Sequence, residues 1–335
     1  MSKLRLTLGI SDYDHVRDLT RGTVTAQGID LLPLDLVVEE IHFRFTAFRE
    51  WDVSEMSLGK YISLVSQGEP PMVAIPVFPN RAFRHSSIYV RRDAELTDPT
   101  QLAGRRVGVP EWAQTAGIYA RGLLAHQYGV PLSAIDWWQA GVNQPGRAEK
   151  VELCLPRDIR LHRVADRSLT EMLLAGDLDA VMTAHPPEPP DGPPSQGGAG
   201  PEIVRLFVNA AAVEEAYWRA TGIFPIMHVV AIKREVYAQY PWVAMNLFKA
   251  FDEARRRSVR RAFDVMASRF PVPWMADYAG RWRELFGGEY FPYGLEANRV
   301  TLGAFCDYAH EQGVCHRPVT PEELFAPEVL RAFRI

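Results

Sequence analysis

The feature that most restricts the fold is an alternation of strand-like and helix-like segments that occurs twice, followed by a late return. Leu4–Ile10 alternates apolar and polar residues as a half-buried strand does, and 12–21 reads as a helix with Asp12 or Asp14 as its cap. Strand candidates follow at 29–38, 51–58, 72–78 and 86–92, with a short helix at 42–50. A second series begins near 93: a buried strand at 105–109, a helix over 114–128 closed by Gly129, a helix at 169–174 and a strand at 178–182. Strands separated by helices favour parallel sheets built from βαβ units. Beyond a Pro-, Gly-, Ser- and acid-rich stretch at 185–201, read as a loop, a strand at 224–232 and a long amphipathic helix at 241–267 complete the chain's pattern.

At 335 residues the chain is long enough for two domains. The expected division is a discontinuous first lobe, residues 1–92 plus 222–335, and a second lobe, 93–221, which carries the 185–201 loop. Bilobed α/β folds bind ligands in the cleft between lobes, near the carboxyl ends of strands.

Composition removes several classes. A net charge of −4 lacks the basic excess of a nucleic-acid binder. No run approaches a membrane span, and the start Met1-Ser2-Lys3-Leu4 has no signal-peptide pattern, so the expectation is a cytoplasmic protein. Cys154, Cys306 and Cys315 have neither disulfide nor zinc spacing. There is no G-x-G-x-x-G, phosphate-binding loop, H-E-x-x-H or G-x-S-x-G motif.

The densest chemistry follows the strand at 72–78, in Phe78-Pro79-Asn80-Arg81-Ala82-Phe83-Arg84-His85. Two guanidinium forks suit a pair of carboxylates, and the histidine can move a proton near neutral pH. The same turn also fits a solvated basic loop. Asp12 and Tyr13 lie at the end of the first strand, where capping and ligand contact both fit. Glu55 and Ser57 share one face of their strand by the two-residue period. In the second lobe, Glu111 ends a strand and Thr115 opens a helix whose free N–H groups suit an anion, with Arg121 two turns further on. His228 sits in an apolar strand, where a core role and a site role both fit.

Taken in order, several of these stretches resemble 4,5-dihydroxyphthalate decarboxylases. They are Gly9-Ile10-Ser11-Asp12-Tyr13-Asp14, Asp52-Val53-Ser54-Glu55-Met56-Ser57, Ala74 through Ser86, Leu102 through Glu111, and Thr221 through His228. The Leu102–Glu111 part is shared with solute-binding proteins and speaks to fold alone. The resemblance implies a two-lobed, type 2 periplasmic-binding-protein-like α/β fold used by a carboxy-lyase of phthalate breakdown. The implied reaction takes 4,5-dihydroxyphthalate to protocatechuate and CO2.

In the mechanism expected from these residues, Glu111 or Glu55 accepts a phenol proton and His85, in preference to His228, protonates the ring carbon. Arg81 and Arg84 clamp the two carboxylates, while Asp12, Tyr13, Ser57, Thr115 and Arg121 complete the binding set. No organic cofactor is expected and no metal-ligand spacing is present, although a divalent metal on the catechol oxygens stays open. The expected partner is a small aromatic carboxylate, with no nucleic acid or membrane; homo-oligomer formation stays open. The rival reading is a non-catalytic solute-binding protein for an aromatic or other organic anion.

Overall fold

The computed structural model describes residues 3–188 and 202–330; positions 189–201 of the expected loop lie outside the described residues. Its strands are β1 (Leu4–Ile10), β2 (Ile29–Asp35), β3 (Val53–Ser57), β4 (Met72–Ile75), β5 (Ile88–Arg91), β6 (Arg106–Val109), β7 (Asp136–Gln139), β8 (Arg160–Arg163), β9 (Ala180–Met182), β10 (Ile203–Arg205) and β11 (His228–Lys233). They form two sheets, in the orders β2-β1-β3-β11-β4 and β10-β5-β9-β6-β7-β8. Parallel pairing dominates at β2-β1-β3 and at β9-β6-β7-β8, as helical crossovers require. Each sheet also carries a strand of opposite direction, β11 in the first and β5 in the second, so both sheets are mixed.

The chain crosses between sheets earlier than the sequence suggests. β5 was expected in the first lobe, yet it pairs with β9 and β10 of the second sheet. The return is β11, inserted between β3 and β4. It starts at His228 rather than 224, because residues 225–227 instead pair with the turn after β4: Ala82 N–H donates to Pro225 O, and Met227 N–H to Asn80 O. Pro225 has no N–H to give a ladder.

Tyr13, not an aspartate, occupies the cap position of the first helix (Asp14–Thr20), and no side chain caps it. The Asp14 carboxylate is drawn instead to Arg17 and to Ser258 and Arg261 on the long helix Trp242–Ala262. The helix Leu58–Ser66, which starts directly from β3, has no counterpart in the sequence reading. Eight of its nine residues are buried, Lys60, Ser63 and Ser66 among them, although Leu58, Tyr61, Ile62 and Val65 recur at the 3.6-residue spacing of a helix.

This helix brings the two lobes into contact. Gly59 N–H donates to Thr115 Oγ1 at 2.9 Å, and a Cβ at Gly59 would stand 2.4 Å from Ala113 O. Only a glycine permits that approach. Among the described residues no helix is long and apolar enough to cross a membrane.

Candidate active site

The carboxyl ends of β3 and β6 face one another across a cavity of about 350 Å³, within the usual range for small-molecule sites. The first lobe contributes His42, Ser57, Lys60, Asn80, Arg84 and His228 to its wall. The second contributes Glu111, Gln114, Thr115, Ala116, Arg147 and His185. Residues 114–116 form the start of the 14-residue helix Thr115–Tyr128, whose N-terminal N–H groups and dipole favour an anion.

In the β3/β11 ladder His228 stands opposite Ser57, so the two side chains share a face with Glu55, two residues back along β3. His228 Nδ1 lies 2.6 Å from Glu55 Oε1. Glu55 is fully buried in a central strand, and a carboxylate there requires partners. It receives them from His228, the Tyr13 hydroxyl at 2.6 Å and the Ser11 N–H at 3.1 Å. Burial pushes its pKa up, but these hydrogen bonds and the His228 charge outweigh burial and hold it below the ordinary 4.5. With Nδ1 donating to Glu55, His228 has Nε2 for the cavity.

Glu111 is gripped by cations: Arg147 at 2.7 Å, Lys60 at 3.2 Å and Lys150 at 3.5 Å. Burial raises its pKa, yet Lys60, Arg147 and Lys150 together bring it below 4.5. It is thus a counter-ion that arranges three cations, and its lone pairs are engaged. Arg84 differs. Its Nε meets Met227 Sδ at 3.1 Å and its Nη1 meets Ser87 Oγ at 3.4 Å, with no ion pair among the described residues. Burial lowers its pKa to about 10, so it remains a cation at neutral pH, at the wall of a cavity.

Of the residues singled out from sequence, the structure brings His228, Glu55, Ser57, Glu111, Thr115 and Arg84 together. Ser57 Oγ and Thr115 Oγ1 meet at 2.9 Å across the lobes. Tyr13 stands behind Glu55 rather than at the cavity. Asp12 is exposed and off the lining.

The remaining three are placed elsewhere, each for a local reason. His85 begins a short 3-10 turn and is 1 % exposed, ringed by Tyr128, Phe207 and Tyr217, with no hydrogen bond to either ring nitrogen among the described residues. Burial depresses its pKa to about 4. Arg81 is consumed by Phe224 O, Pro292 O and Asn298 Oδ1 and lies over the Phe224 ring. Arg121 is fully buried, bonded to Gln312 Oε1 and Trp112 O and stacked on the Trp112 ring.

The sequence reading missed His42, Lys60, Asn80, Gln114, Arg147 and His185 as cavity residues. Lys60 had a usable signal, a lysine three residues past a strand end. Arg147 and Lys150 come from an irregular loop that offers no pattern.

His42, Glu55 and His228 each present a ligand-type atom within 4.8 Å of the others. The Glu55 oxygens and His228 Nδ1 also take part in the hydrogen bonds above, so an ion bound through those atoms would compete with the Ser11, Tyr13 and His228 contacts.

No protein-family model matches the chain. Among solved structures it resembles the periplasmic aliphatic sulphonate binding protein of Escherichia coli, at TM-score 0.50 and 11% identity, covering 98% of this chain and 99% of that one. It also resembles the ligand-binding component of an ABC-type import system from Staphylococcus aureus, at TM-score 0.50 and 10% identity, covering 98% of both. These likenesses establish a periplasmic-binding-protein-like fold. Among curated proteins, a 4,5-dihydroxyphthalate decarboxylase of Comamonas testosteroni is 34% identical over 336 aligned positions, covering 100% of both chains. A second protein of that name, from Pseudomonas putida, is 37% identical over 221 positions, covering 66% of this chain and 83% of the other. With a match that runs from end to end, the chain belongs to the 4,5-dihydroxyphthalate decarboxylase family.

Proposed function

We propose that this chain is a carboxy-lyase that converts 4,5-dihydroxyphthalate to protocatechuate and CO2, with His228 as the proton donor. The observation that carries the reading is the Glu55–His228 pair opening onto the same cavity as Arg84, a cation with no ion pair among the described residues.

The substrate is a dianion at neutral pH. Arg84, Lys60 and the start of the helix Thr115–Tyr128 hold its two carboxylates, and Arg84 supplies a planar two-point contact for one of them. Each carboxylate of this substrate has a hydroxyl para to it. His228, its Nδ1–H donated to Glu55, gives the Nε2 proton to the ring carbon that bears the departing carboxylate. Electron density moves from the para oxygen through the ring, producing a dienone-like intermediate. The bond to the carboxylate then breaks, its electron pair restores the aromatic ring, and CO2 departs. One proton is consumed per turnover, so His228 is recharged from water.

Glu55 orients the imidazole and stabilises its protonated form, as a buried carboxylate does for a catalytic histidine elsewhere. A positioned general acid contributes about 10²–10⁴-fold, and the cations that hold the dianion supply orientation and charge stabilisation besides. The para oxygen is the electron sink, so the reaction as drawn uses neither an organic cofactor nor a metal.

The test is to incubate purified protein with 4,5-dihydroxyphthalate, with and without a chelator, and to quantify protocatechuate and CO2. Equal amounts of both, unchanged by the chelator, are expected. Activity lost to the chelator and restored by a divalent cation would move the electron sink to a metal. Thermal stabilisation by phthalate without product would assign the chain to the solute-binding class.

A further inference from the structure

The reaction above needs an acceptor for the para hydroxyl proton, and the carboxylates at or behind the cavity, Glu39, Glu55 and Glu111, are engaged, Glu39 by His185 at 3.0 Å. Glu111 is bound by three cations and Glu55 by three donors. We propose that His42 is this base, working beside His228 as one half of an acid–base pair of imidazoles; the proposal rests on the decarboxylase reading.

His42 belongs to the helix Val38–Phe48 and lines the cavity. Its ring stands edge-on to that of His228, with centroids 4.4 Å apart and planes at 89°. The Nε2 atom is buried without a hydrogen-bond partner among the described residues. Nδ1 is the nitrogen left to act at the cavity that the residue lines. A neutral imidazole has one donor and one acceptor nitrogen, and in its Nε2–H tautomer His42 presents Nδ1 as the acceptor that the proposed base requires.

The two imidazoles touch edge to face and both line the cavity. One planar substrate can therefore meet His228 at the carbon and His42 at the hydroxyl.

The surroundings assign the two roles. Burial, and then the charges of His228, Lys60 and Lys150, hold His42 well below the ordinary 6.5 and keep it neutral. His228 has the buried Glu55 carboxylate behind it. Glu39, on the same helix as His42, is bound to His185 at 3.0 Å. A dianionic substrate offsets Lys60 and Lys150 and so strengthens His42 as a base when it is bound. Two like groups in unlike environments, one able to hold a proton and one able to take it, is the arrangement that general acid–base chemistry requires. In balance, the hydroxyl proton passes to His42, the His228 proton passes to carbon, CO2 leaves, and the His42 proton returns to the product oxygen.

The experiment compares the unaltered chain with His42→Gln and His42→Ala, using 4,5-dihydroxyphthalate for turnover and phthalate for binding. The variants should retain phthalate binding and lose about 10²–10⁴-fold in kcat. Added imidazole should restore part of the His42→Ala activity. In His42→Gln, log kcat should climb with pH as the substrate hydroxyl ionises unaided, whereas the unaltered chain shows no such limb. Undiminished kcat in either variant overturns the proposal, as does a loss that imidazole cannot rescue and that shows no pH limb.

Should both variants fail to bind phthalate, the unaltered chain decides the matter. A pH–rate limb that follows hydroxyl ionisation, and moves down when the ring is fluorinated, would show that no protein base takes the proton. If the unaltered chain itself makes no protocatechuate, the decarboxylase reading fails before this one is reached.

Discussion

His228 Nδ1 lies 2.6 Å from Oε1 of Glu55, a carboxylate with no exposed surface, and the two residues are 173 positions apart in the chain. The pair exists because β11 returns to the first sheet beside β3 and places His228 opposite Ser57. Glu55 has no other route to the cavity, so its part in the chemistry passes through the imidazole.

Glu55→Gln should therefore damage turnover more than binding. The amide keeps a hydrogen bond to His228 but lacks the charge that stabilises the protonated ring. It also meets the Ser11 N–H and Tyr13 hydroxyl with one acceptor fewer, at a cost of about 1–3 kcal/mol. Steady-state kinetics with 4,5-dihydroxyphthalate should show kcat reduced and KM little changed, and thermal melts a lower midpoint. Because the folded Glu55 pKa is below 4.5, its charge contributes stability above that pH and loses the contribution as pH falls further. The stability gap between wild type and Glu55→Gln should accordingly narrow in acid.

Arg84→Gln removes the cation at the cavity that has no ion pair among the described residues. A charge-assisted hydrogen bond is worth about 1.5–3 kcal/mol, or roughly ten- to a hundredfold in affinity. Calorimetric titration should show weakened binding of phthalate and a much smaller change for benzoate. An equal loss for both would contradict the two-carboxylate clamp.

His85→Phe separates a structural histidine from a catalytic one. The folded-state pKa of about 4 lies below the ordinary 6.5, so the unfolded chain takes up the proton first. The associated stability is intact above pH 6.5 and is lost as pH falls toward 4, about 3 kcal/mol in total at about 1.4 kcal/mol per unit. His42, depressed in the same direction, adds to the slope. In pH-dependent melts His85→Phe should flatten this decline and leave turnover near wild type. A loss comparable with that of His228→Asn would return His85 to the mechanism.

Gly59→Ala tests the contact between lobes. Its new methyl group would collide with Ala113 O, at 2.4 Å. Overpacking of this kind costs about 1–3 kcal/mol, and here it also presses on the hydrogen bond to Thr115. Melts should record the destabilisation, and KM should rise as the cavity widens.

The sequence carried the local part of this architecture well. β1 appears at the expected residues because its apolar and polar residues alternate, although Leu8, Gly9 and Ile10 at its end are all buried. Glu55 and Ser57 share a face by the same rule. What it could not carry was everything set by distant pairing. His228 looked like a core histidine because its carboxylate lies on another strand, whereas Lys60 sits in a short helix whose apolar stripe, Leu58, Tyr61, Ile62 and Val65, was legible. The cluster Arg81, Arg84 and His85 gave a sound signal for position, the turn after β4, but not for direction. One of its three side chains faces the cavity, one is taken up by backbone oxygens and one by aromatic rings.

The most direct test of the account compares wild type with His228→Asn on 4,5-dihydroxyphthalate, following protocatechuate and CO2 together and measuring phthalate binding in parallel. The account predicts equal yields of both products from the wild type, a fall in kcat of about 10²–10⁴-fold in the variant, and phthalate affinity within a few-fold of wild type. Undiminished turnover by His228→Asn would contradict it, because the proton that replaces CO2 would then come from another group.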